Sequence, residues 1–140
     1  MSGVKGSTPV DAIDKLSSGA SLLKFGRQGN PHFRDFALSD DLKYITWVSK
    51  GKRADDTRFP LSQCTLLEGQ KTAVFKKNDR DDLRHLSFSL DWASNNKTLD
   101  LVCSDMAQYR LWKSTLQFLI LHPTLTKTDV FEARRKQTAV

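Results

Sequence analysis

LSFSLDWASNNKTLDLVCSDMAQYRLWKSTLQFLILHP, residues 86–123, is the stretch that decides the fold. Leu86, Phe88, Leu90 and Trp92 alternate with Ser87, Ser89 and Asp91. That period of two predicts a half-buried antiparallel strand. Asn95-Asn96 is a turn pair, and residues 98–103 read as the returning strand. The periodicity then changes. Ser104-Asp105 can cap a helix, in which Met106, Tyr109, Trp112, Leu116 and Leu119 recur on one face. Pro123 requires that helix to end by His122. A strand pair leading into one helix with a wide apolar face implies that the helix covers the open end of a small barrel or sandwich, with Trp112 in the core.

Upstream the chain reads as further short strands. Residues 20–27 form the first, and Gln28-Gly29-Asn30-Pro31 is a turn. The second spans residues 32–38 and ends at Ser39-Asp40-Asp41. The third, residues 43–49, is rich in β-branched and aromatic side chains. A charged loop over residues 50–58 precedes a fourth strand, residues 61–67, and residues 72–75 read as a short fifth. The expected fold is therefore mainly β with α: a seven-stranded antiparallel barrel or sandwich capped by a C-terminal helix. Thr8, Pro9 and Asp11 mark the start of a short N-terminal helix reaching about Leu16. Residues 1–7 are polar, have no apolar run resembling a secretory signal, and are expected to lack structure. The tail is also polar, with a short helix possible near residues 129–136. The chain thus divides into an N-terminal segment (1–18), a folded unit (19–122) and a tail (123–140).

The chain has 140 residues, of which 39% are hydrophobic and 27% charged, enough for one domain with a core that needs no staples. Its only cysteines, Cys64 and Cys103, lie in apolar surroundings and read as buried reduced thiols. His32, His85 and His122 are scattered, so no metal site is expected. No Gly-rich phosphate loop, nucleophile elbow or carboxylate pair occurs, so neither an enzyme nor a cofactor is expected. Net charge is +6, which favours anionic partners. Nucleic acid is not among those expected, because the sequence lacks interleaved aromatics and a basic recognition helix. Thr138-Ala139-Val140 resembles the C-terminal ligand of a PDZ domain.

Leu22-Leu23-Lys24, the strand from Phe33 to Leu38, the strand from Leu86 to Leu90, Leu99-Asp100-Leu101-Val102 and Trp112 together resemble the pleckstrin homology (PH) family. The string SGASLLKFGRQGNPHFRDFALSDD, with KTAVF and LSFSL, is similar to the domain that opens plant FYVE-finger proteins. It is also similar to the domain that opens phosphoinositide-specific phospholipase C. The resemblance covers about residues 19–122. It implies a phosphoinositide- or anionic-lipid-binding module with a signalling and membrane-targeting role, cytoplasmic and peripheral at the membrane. The alternative it leaves open is a protein-interaction domain of the PH or phosphotyrosine-binding type. In that mode a peptide strand lies beside the last helix, near Val74, Phe75 and Tyr109.

The resemblance also implies where a lipid headgroup would sit. Lys24 matches the family's lysine at the end of strand one, and Arg34 its arginine early in strand two. Lys50, Lys52 and Arg53 supply the edge after strand three, and Arg27 opens the first loop. Gly26 stands where a second cation often occurs, so Arg27 compensates only if the loop turns it inward. Asp35, Asp55 and Asp56 lower the potential nearby. A cation near an anionic surface contributes about 1 kcal/mol. Five such cations fall short of the ~8 kcal/mol of micromolar binding, so affinity must come from directed phosphate contacts.

Overall fold

The computed structural model describes residues 8–27 and 30–138. The expectations placed on residues 1–7, on the Gln28-Gly29 turn and on the terminal Ala139-Val140 lie outside the described residues.

Helix α1 spans Pro9–Ser18. The Thr8 hydroxyl accepts from the Asp11 amide at 3.1 Å, and Pro9 occupies the first turn. Gly19 ends the helix with φ of 90°. A Cβ there would stand 3.0 Å from the Phe36 carbonyl oxygen, so the position needs glycine twice over. The sheet follows as β1 (Ala20–Phe25), β2 (His32–Leu38), β3 (Tyr44–Trp47), β4 (Arg58–Pro60) and β5 (Thr65–Glu68). A short helix, α2 (Ala73–Lys77), then precedes β6 (Ser87–Trp92) and β7 (Lys97–Val102). Helices α3 (Met106–Leu121) and α4 (Lys127–Thr138) complete the chain.

The seven strands form one antiparallel sheet in the order β4-β3-β2-β1-β7-β6-β5. The sheet is not closed: β4 and β5 are its two ends. Helix α3 lies against β5 and the turn at Leu61–Gln63 and covers that open side. Its inward stripe includes Tyr109, Trp112, Leu116 and Leu119, all buried. Asp105 caps it by accepting from the Gln108 amide at 2.8 Å.

Two strands fall elsewhere than the sequence predicts. Residues 72–75 do not form a strand. Thr72 instead caps α2, and its hydroxyl donates to the Asp100 carboxylate. The strand β4 falls at Arg58–Pro60, inside and just beyond the expected charged loop. The strand expected over residues 61–67 shortens to β5, because residues 61–63 turn. The total of seven survives because one strand is lost and another gained.

The alternation in β6 is real, but its polar face is not solvated. Ser87 and Ser89 are fully buried. The α2 segment covers that side of the sheet, where Phe25, Phe75 and Val102 form a second small core. Asp100 lies there without exposure. Its Oδ1 accepts from Thr72 and from Ser89 at 2.7 Å, and its Oδ2 accepts from Thr98 at 2.7 Å. The main core fills the other face and includes Leu22, Phe36, Ile45, Phe88, Leu90, Leu101 and Trp112. Val10, Ile13 and Leu16 of α1 and Val130 of α4 join it. Cys64 and Cys103 are buried free thiols, each pushed up to about 12 by burial.

Candidate functional site

The cleft begins where the inner face of β1 and β2 changes chemistry. Ladder pairing sets Leu22 opposite Arg34 and Lys24 opposite His32. Side chains two apart in a strand share a face. Leu22, Phe36 and Leu38 are buried in the core. One step nearer the β1–β2 turn, that same face carries Lys24 and Arg34. The strand ends thus turn an apolar face into a cationic rim.

These side chains line a cleft of about 740 Å³ with Arg27, Lys52 and Trp47. Four cations border it, against the single carboxylate of Asp56. The Lys24 ammonium sits 5.6 Å from the Trp47 ring centroid, a cation–π distance. Burial, then the neighbouring charges of Arg34 and Lys52, holds its pKa below the usual lysine value, while Asp100 opposes them. Arg34 donates from Nη1 to the Phe33 carbonyl at 3.0 Å, which steers the guanidinium. Among the described residues, Lys24, Arg27, Arg34 and Lys52 form no salt bridge. Clustered like charges outnumbering their carboxylate neighbours destabilise one another until an anion arrives.

Of the six cations expected at the mouth, Lys24, Arg27, Arg34 and Lys52 border this cleft, and Lys50 and Arg53 do not. A tight turn separates them. Gly51 takes φ of 81°, and the Lys52 amide donates to the Ser49 carbonyl at 3.1 Å. Lys50 stands exposed at the tip of that turn, while Lys52 comes back to the cleft. Arg53 lies 3.9 Å from Asp55, which also pairs with Arg58 at 3.0 Å. Arg27 reaches the cleft beside Gly26. Asp35 is exposed and does not line it.

Trp47 was not anticipated at the site. It shares a strand face with buried Ile45, one step nearer the mouth, and that parity was the available signal. Asn30, Ser49 and Thr57 add neutral hydrogen-bonding groups. An adjoining cleft of about 710 Å³ shares Lys24, Arg27 and Lys52 but adds Asp55, Asp91 and Asp100. Its charges nearly balance, so the first cleft is the one that favours an anion.

Of the three side chains expected to be open to a peptide strand, Val74 is half-buried and the other two are closed off. Phe75 and Tyr109 are buried. Tyr109 donates to Glu68 at 3.0 Å, and Lys113 pairs with Glu68 at 3.7 Å. Burial, then that hydrogen bond, pushes the Tyr109 phenol up to about 12. Helix α3 is thereby tied to β5 where a peptide would have to insert. Among the described residues, no cluster of three or more His, Cys, Asp or Glu could hold a metal ion. No described helix is long and apolar enough to cross a membrane.

An open seven-stranded antiparallel sheet with a C-terminal helix across it is the fold of a pleckstrin homology domain. The C-terminal PH domain of human pleckstrin superposes with a TM-score of 0.53 at 21% identity, covering 73% of this chain and 85% of that one. Inner Membrane Complex Sub-compartment Protein 1 from Toxoplasma gondii superposes with a TM-score of 0.65 at 15% identity, covering 86% and 99%. In sequence, the chain is 24% identical over 117 residues to the human protein named Inactive phospholipase C-like protein 2. That match takes in 81% of this chain but only 10% of the relative's length. No protein-family model matches the chain.

Proposed function

We propose that this domain is a membrane-targeting module, not an enzyme, and that it takes a phosphoinositide headgroup into the cleft between Lys24 and Arg34. The observation that carries the reading is the gathering of Lys24, Arg27, Arg34 and Lys52 around one opening. Its volume of about 740 Å³ falls within the ~300–1,000 Å³ of small-molecule sites. Arginine can grip a phosphate through two parallel hydrogen bonds, and lysine adds a point charge. No cofactor or nucleic acid enters the proposal. The setting it implies is the cytoplasmic face of a membrane, with the domain held peripherally and acting in signalling.

The match to Inactive phospholipase C-like protein 2 supports the part of the resemblance that points to phospholipase C. The likeness to the opening domain of plant FYVE-finger proteins belongs to the same proposal. Lys50 and Arg53, exposed beside the mouth, contribute general attraction to an anionic surface in this reading.

Vesicle binding tests it. Arg34→Ala is expected to lower affinity for phosphoinositide vesicles at least tenfold, the loss of one charged hydrogen-bonding partner. Affinity for phosphatidylserine vesicles should fall much less. Equal losses on both lipids would reduce the cleft to a general basic rim.

A further inference from the structure

Lys24 has the surroundings of a nucleophile. It is half-buried near the end of β1, with its ammonium 5.6 Å from the Trp47 ring centroid. Other lysines are tied down. Lys43 donates to the Pro123 carbonyl at 2.8 Å, and Lys113 pairs with Glu68 at 3.7 Å. Lys24 instead stands among cations, because Arg27, Arg34 and Lys52 line the same cleft. Burial first, then the charges of Arg34 and Lys52, lower its pKa against the opposing pull of Asp100. More of its amine is therefore unprotonated at neutral pH than in an ordinary lysine. A lysine made less basic by burial and by neighbouring cations is the kind that forms imines with carbonyl compounds.

The same cations select which carbonyl compound enters. Arg34 pairs with Leu22, and Lys24 is two residues further along β1 on that face. Diagonal neighbours of this kind lie about 7–8 Å apart, within reach of long side chains. Arg34 can hold a phosphate through two parallel hydrogen bonds, and Arg27 and Lys52 add charge beside it. A carbonyl carbon a few bonds from that phosphate then falls near the Lys24 Nζ.

We propose that Lys24 captures phosphorylated aldehydes as imines, with the phosphate held by Arg34, Arg27 and Lys52. The Nζ lone pair attacks the aldehyde carbon and a C–N bond forms. The carbonyl oxygen leaves as water, taking both protons of the neutral amine. No oxidant or reductant is needed, and hydrolysis returns the free lysine. The adduct fills the cleft and so competes with a headgroup. Capture requires only that the cleft hold a phosphate, not that the domain meet a membrane.

The probe is pyridoxal phosphate, with unphosphorylated pyridoxal as its control. The protein is incubated with each, imines are reduced with borohydride, and labelled lysines are mapped by peptide mass spectrometry. Pyridoxal phosphate should label Lys24 about tenfold faster than exposed Lys50, the gain from docking its phosphate beside the amine. Pyridoxal should show no such preference. Inositol hexakisphosphate should protect Lys24 and leave Lys50 unaffected. Arg34→Gln should slow labelling of Lys24 about tenfold, the loss of one charged hydrogen-bonding partner. Equal labelling of Lys24 and Lys50 in wild type overturns the proposal, and so does an equal preference for Lys24 with pyridoxal. Vesicle binding on the same preparation separates this inference from the headgroup reading. Selective labelling of a protein that ignores phosphoinositide vesicles overturns the headgroup reading alone. Vesicle binding without selective labelling overturns the imine alone.

Discussion

Lys24 shows how a binding site opposes the fold that carries it. Burial and the charge of Arg34 lower its pKa from the ordinary 10.5. The unfolded chain then holds this proton more tightly than the folded one. At neutral pH Lys24 therefore weakens the unliganded fold, and the penalty lifts as pH rises through the lowered value towards 10.5. A bound phosphate reverses the sign. Lys24→Met keeps an apolar stem near Trp47 and removes the charge. Its melting temperature without ligand should exceed that of wild type, by on the order of 0.5 kcal/mol of stability. Its affinity for soluble inositol phosphate should fall tenfold or more. A variant less stable than wild type would mean that Asp100, not Arg34, dominates the charge balance at Lys24. Lys24 and Arg34 were legible in the sequence only through the resemblance to the PH family, which supplies their places on strands one and two. The choice of Lys52 over Lys50 and Arg53 was not, because it depends on the positive φ of Gly51 and on Asp55 engaging Arg53.

At the level of elements, the sequence declared β6 and α3 because each holds its period for several repeats. It hid α2, since five residues cannot display a helical period and the short apolar run Ala73-Val74-Phe75 reads as a strand. The deciding partner, Asp100, is 28 residues away. It hid β4 because Arg58 and Pro60 look like loop residues, yet an end strand tolerates proline. Asp100 also explains why β6 is buried on both faces: it accepts from Thr72, Ser89 and Thr98 and so neutralises three polar groups under α2. Asp100→Ala leaves those hydroxyls without that acceptor. The expected loss is about 3 kcal/mol in urea unfolding, with faster amide exchange across α2 than across β2. A loss below about 0.5 kcal/mol, typical of surface sites, would show that the hydroxyls find other acceptors.

Across the whole molecule, stability and binding are built at opposite ends. Strand β2 runs from the cleft at His32 and Arg34 down to Leu38. The turn that follows holds Lys43, whose ammonium donates to the Pro123 carbonyl at 2.8 Å and ties the α3–α4 connection to the far end. There Val130 enters the main core beside α1, and Arg134 pairs with Asp14 at 2.5 Å. The N-terminal segment and the tail lie outside residues 19–122, to which the resemblance to the PH family extends. Val10, Ile13, Leu16 and Val130 nevertheless complete a core whose other members come from the sheet and α3. Sites this far removed, with no shared partner, act additively. Val130→Ala should therefore cost about 2 kcal/mol, from lost burial and a residual cavity. It should leave the affinity for soluble inositol phosphate unchanged at temperatures where the variant is folded. Denaturant unfolding and calorimetric titration on the same preparation measure the two quantities. A fall in affinity at full folding would show that the far end sets the shape of the cleft, and the two ends would then have to be treated as one coupled unit.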